Sequence, residues 1–132
     1  MILGTMEEAI KGEAYIEDLD EGTLESLITF IYTGDFNISS GINVQNLVRA
    51  GDKYDMPEFT ELLVYKLGNQ DNIKPETIGG IVLAAHRHNN TKLREVAVER
   101  IRAKRSIVND EDFRKTMKGA DINLIINLFN DL

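Results

Sequence analysis

Apolar residues recur every three or four positions along most of the chain, the spacing that gathers side chains on one face of an α-helix. In D-E-G-T-L-E-S-L-I-T-F-I-Y-T-G the set is Leu24, Leu27, Ile28 and Ile31, with Asp20 placed to cap the start and Gly34 to stop the helix. Val44, Leu47 and Val48 predict a second helix, with Tyr54 at its end. A third opens on Pro57, suited to a first helical position, and carries Phe59, Leu62, Leu63 and Leu67. Pro75 opens a fourth with Ile78, Ile81, Val82 and Ala85, and the Asn89-Asn90-Thr91 turn leads to a fifth with Leu93, Val96, Ala97 and Ile101. A short amphipathic piece holds Phe113 and Met117 and ends at Gly119; the last helix carries Leu124, Ile125, Leu128 and Phe129.

One segment breaks the pattern. Glu-Ala-Tyr-Ile-Glu, residues 13–17, alternates with Ala14 and Ile16 on one face, which predicts a half-buried strand. A strand needs paired neighbours, and no second convincing strand follows, so the rest of its sheet is expected to lie outside the sequence. The chain reads as mostly α with one short strand, and as a fragment or a shortened relative of a larger protein. No motif recurs at a period of 30 to 50 residues, which argues against a solenoid.

Composition narrows the function more than the fold. The 132 residues suffice for one domain or two small ones. The absence of cysteine removes disulfides, thiolate chemistry and cysteine zinc sites, and fits a reducing compartment. No apolar run approaches a membrane span, and Met-Ile-Leu-Gly-Thr-Met-Glu-Glu turns acidic too early for a secretory signal. The net charge of -7 is uneven: residues 1–72 hold 14 acids and 4 bases, residues 73–132 hold 8 acids and 11 bases. An acidic first half repels nucleic acid and favours basic protein partners, and the asymmetry suggests two modules.

Catalytic constellations are lacking. Nucleophile-elbow, phosphate-loop and paired metal-ligand motifs do not occur. His86 and His88 diverge by about 200° on a helix, a poor geometry for a shared metal. The carboxylates of E-D-L-D-E read as solvated surface and helix caps. Gly79-Gly80, with no further glycines and no Lys-Ser/Thr, reads as a close helix–helix approach rather than a phosphate cradle. The basic run Arg100 to Arg105 suits a solvated helix end, with a localisation signal or an acidic partner as the alternative. No catalytic, cofactor or metal residue is assigned. An interaction protein remains, without nucleic acid or membrane as partner. Within it, Thr5-Met6-Glu7-Glu8-Ala9 leaves open whether Met6 is core or contact.

The ordered pieces M-E-E-A, A-Y-I-E-D-L-D-E-G-T-L, F-I-Y-T-G-D-F and L-V-R-A-G-D-K-Y-D-M-P-E-F resemble the second half of a BTB/POZ domain, nearest the speckle-type, MATH-associated group. Ile31-Tyr32-Thr33-Gly34 and Asp52-Lys53-Tyr54 match its motifs, with Gly51 where alanine is usual. P-E-T-I-G-G-I-V-L-A-A-H-R-H-N-N-T-K-L-R-E-V-A-V-E-R-I and L-I-I-N-L-F-N-D-L resemble the BACK-like, or cullin-box, extension of these adaptors. The resemblance implies a partial BTB/POZ domain over 1–72 and a BACK-like extension over 73–132. It further implies a non-enzymatic adaptor of a cullin–RING ubiquitin ligase, in the nucleus or cytoplasm. In that family a hydrophobic-x-Glu motif inserts into the third cullin, a place that Met6 and Glu8 occupy here. Tyr54, Leu124 and Phe129 correspond to positions that contact or support the same partner. The opening strands and the usual dimerisation helix of the family are not in the sequence. An alternative is an oligomerisation module that pairs with other BTB chains and binds no cullin.

Overall fold

Asp20 starts the first helix by accepting the Thr23 backbone N–H on Oδ1 at 2.6 Å, the side-chain cap that orphan N–H groups of a first turn require. A computed structural model of the protein describes residues 20–38 and 43–132. It comprises α1 (Glu21–Thr33), α2 (Val44–Lys53), α3 (Pro57–Asn69), α4 (Pro75–Arg87), α5 (Thr91–Ala103), a 3-10 turn (Arg105–Asn109), α6 (Glu111–Met117) and α7 (Ile122–Asp131). The expected mostly helical fold is what the described residues show, with no strand among them. The expected strand at 13–17 lies outside the described residues, as do Met6 and Glu8. The chain forms two compact units that divide between Leu63 and Val64, within α3.

In the first unit α1 ends as predicted: Gly34 has φ 77°, and its N–H donates to the Phe30 carbonyl at 2.7 Å. The core is built from Leu27, Leu47, Val48, Phe59 and Leu63, all at most 1% exposed. Three rings meet there. Phe59 lies 4.6 Å from Phe36, stacked, and 5.3 Å from Phe30, edge-on. The α2–α3 corner is a Schellman turn: Asp55 takes φ 51°, the Asp55 N–H donates to Asp52 and the Met56 N–H donates to Gly51. Pro57, which has no N–H to satisfy, then opens α3. The glycine at 51 has a local cause, because a Cβ there would collide with Thr60 Oγ1.

Asp20 also ties α1 to α2, since Asn46 Nδ2 donates to its Oδ2 at 2.6 Å. Partial burial alone would raise the pKa of this carboxyl. The Thr23 N–H and hydroxyl, the Asn46 amide and the Arg49 charge outweigh burial and hold it below the ordinary value of 3.8. A depressed folded pKa contributes stability above the unfolded value and loses it as pH falls through the folded one. Asp20→Asn, which keeps a good cap, is therefore expected to flatten the loss of stability between about pH 5 and pH 3. Denaturant titrations at both pH values check this, and parallel curves for the two proteins would refute it.

In the second unit α4 is the central helix, with Ile78, Ile81, Val82, Ala84 and Ala85 all buried. The Asn89-Asn90 pair makes the turn by two different means. Asn89 takes φ 53° and closes a Schellman turn, in which the Asn90 N–H donates to Ala85 at 2.9 Å. Asn90 then caps α5 by accepting the Leu93 N–H on its side chain at 3.0 Å. On α5 the buried stripe is Leu93, Ala97, Val98 and Ile101; Val96, expected within it, is only half-buried. Gly79 serves the close approach expected of it. A Cβ there would stand 2.8 Å from Cγ2 and 2.9 Å from Cβ of Thr116 on α6, so α4 and α6 touch where no larger residue fits.

Candidate functional site

The basic run beginning at Arg100 is the first candidate, and its arginines are committed to main-chain oxygens. Arg100 Nη2 donates to the carbonyls of Leu67 at 3.1 Å and Gly68 at 3.2 Å, and also to Gln70. These are the unpaired carbonyls at the end of α3, which a cation also favours through the helix dipole. Arg102 donates through Nε to the Asp131 carbonyl at 3.1 Å, and Arg105 donates to the Leu132 carbonyl at 2.6 Å. Arg94 completes the set by pairing with the Asp131 carboxylate. The expectation of a merely solvated helix end is thus refined: the arginines fasten α3 and α7.

A concave surface lies beside α7. The 3-10 turn brings Val108, α6 brings Phe113 and Met117, and α7 brings Ile125, Leu128 and Phe129 to a groove of about 650 Å³. Phe113 and Met117 form its floor at 4% and 8% exposure, while Phe129 stands at 52%. Arg114, Lys115 and Lys118 line it as well, with Glu111 their acidic neighbour. Asp110 caps α6 by accepting the Phe113 N–H, which sets the floor residues in place. Phe113 and Met117 were legible as an amphipathic pair; the bases interleaved in F-R-K-T-M-K are the signal that marks the same piece as a groove.

Of the expected partner-binding residues, Tyr54, Leu124 and Phe129 are among those described. Tyr54 is half-buried in the first unit, directly after α2, with the Lys53 ammonium 5.7 Å from its ring centroid. Leu124 and Phe129 share α7 but not a face. Leu124, 6% exposed, lies beside Val82, Ala85 and Leu128, whereas Phe129 opens into the groove. Among the described residues no group of three or more His, Cys, Asp and Glu side chains could hold a metal ion. None of the described helices is long and apolar enough to cross a membrane.

A family profile of the BTB/POZ domain matches residues 1–71, more than half of the chain. The chain belongs to the BTB/POZ family. BTB/POZ domains are protein-interaction modules, and residues 1–71 of this chain carry one. The chain is also 31% identical over 64 residues to Kelch-like protein 40a of zebrafish, Danio rerio. That match covers 48% of this chain and 10% of the relative, so the chain spans only a small part of the curated protein it resembles. No solved structure matches.

Proposed function

We propose that this chain is the adaptor region of a cullin–RING ubiquitin ligase of the speckle-type group: a partial BTB domain over 1–72 followed by a BACK-like extension over 73–132. The observation that carries the reading is the ordered run from Met6-Glu7-Glu8 through Ile31-Tyr32-Thr33-Gly34 to Asp52-Lys53-Tyr54, set within a BTB/POZ match over 1–71. In this reading Met6 enters an apolar groove on the cullin and Glu8 accepts donors at its rim. Tyr54 lies against the same partner. Leu124 and Phe129 lend support through α7, Leu124 by seating the helix and Phe129 by contact. The region works in the nucleus or cytoplasm, uses no cofactor and catalyses nothing itself.

Calorimetry with the N-terminal domain of the third cullin tests this. Met6→Ala and Glu8→Lys are each expected to weaken binding by about tenfold or more, which corresponds to roughly 1.4 kcal/mol. Unchanged affinity in both variants would remove the assignment. If light scattering shows stable mixed complexes with an intact BTB protein and calorimetry shows no cullin binding, the chain is an oligomerisation module instead.

A further inference from the structure

The groove between α6 and α7 asks for a partner of a particular chemistry. Its floor and walls are apolar, with Phe113 and Met117 recessed and Phe129 and Leu128 at the side. A recessed floor takes side chains that project from something else. A groove of about 650 Å³ accommodates two or three large side chains from one face of a helix. Phenylalanine and methionine also suit a contact surface, being large, and in methionine's case adaptable.

The rim fixes the sign of the partner. Three cations, Arg114, Lys115 and Lys118, stand against one carboxylate, Glu111. That carboxylate is already engaged with Lys115 at 3.4 Å. Arg114 is held in position, since Nε donates to the Val108 carbonyl at 3.1 Å and Nη2 donates to Asn109 Oδ1 at 2.9 Å. Two net positive charges therefore flank an apolar trough. Ile126, exposed at 50% one turn before Phe129, extends the apolar surface along α7.

We infer that this groove docks an acidic amphipathic helix of a protein partner, with apolar residues at i, i+3 or i+4 and i+7 in the trough and Asp or Glu residues against Arg114 and Lys118. The inference stands apart from the cullin reading, because Met6, Glu8 and Tyr54 take no part in it. Phe129 is the one residue the two readings share, so Lys118 separates them. Phe129 and Ile126 project as a membrane contact would, but the recessed Phe113 and Met117 make an anionic membrane a poorer fit, because a bilayer does not fill a trough whereas side chains of a helix do.

A display library of amphipathic helices, with fixed apolar positions and randomised flanks, tests the inference against the full chain. Selection is expected to enrich Asp and Glu at the flanks. Lys118→Glu should weaken the selected peptides about tenfold and Phe129→Asp should abolish their binding, both with unchanged thermal melting. Met6→Ala should leave that binding unaltered. Unbiased or basic flanks, or peptides indifferent to both groove variants, would overturn the inference. So would self-association of the chain that Lys118→Glu abolishes, or tighter capture by phosphatidylserine vesicles than by any selected peptide.

Discussion

Phe59→Ala is expected to lower stability by about 4 kcal/mol, within the range for removing a fully buried aromatic side chain. The side chain is 0% exposed and touches two other rings, so truncation removes both the burial and the ring pairing. Phe36 follows α1 outside any helix, yet it is 2% exposed and stacked on Phe59. Its burial depends on that neighbour. Phe59→Leu, which refills most of the volume, is expected to lose about 1 kcal/mol. Urea unfolding followed by far-ultraviolet circular dichroism measures both. A loss under about 1 kcal/mol for Phe59→Ala would mean that the three rings are not the centre of the first unit's core.

Arg100→Ala is expected to cost about 2 kcal/mol, more than a surface charge is worth. Exposed ion pairs contribute little. Arg100, however, donates to carbonyls of Leu67, Gly68 and Gln70, which have no helical partner of their own. Arg100→Lys should recover only part of the loss, because an ammonium on a flexible stem does not reproduce the planar fork of donors. Lys104, four residues on and exposed, is the matched control: Lys104→Ala should stay within about 0.5 kcal/mol. Hydrogen exchange adds a local reading, with protection at the end of α3 falling in Arg100→Ala and unchanged in Lys104→Ala. Equal effects of the two substitutions would reduce Arg100 to ordinary surface charge.

The residues that could be read from the sequence are those whose partners lie within a few positions. Asp20, Gly34, Pro57, Asn90 and Pro75 declare helix ends through local geometry, and the apolar stripes declare the faces between them. Arg100 was invisible in its role because its acceptors lie some 30 residues away and are backbone atoms, which no side-chain pattern records. The small size of Gly79 was legible, but its partner Thr116 was not, for the same reason of distance. Leu124 and Phe129 show the limit of counting along one helix: five positions apart, they differ by about 140° around the axis. One therefore seats α7 while the other lines the groove. The docking role proposed for Met6 and Glu8 rests on family resemblance alone, since two residues carry no periodicity.

The way α7 is fastened leaves its surface free to change. Arg102 and Arg105 grip main-chain oxygens of Asp131 and Leu132, and Arg94 reaches the Asn127 carbonyl besides the Asp131 carboxylate. A carbonyl is present whatever side chain the position bears. Inward, the buried side chains described on the helix are Leu124 and Leu128, at 6% and 2% exposure. Positions such as Ile126 and Phe129 can thus drift to suit a new partner while the anchor holds, so α7 is a place where specificity can diverge without refolding the unit that carries it.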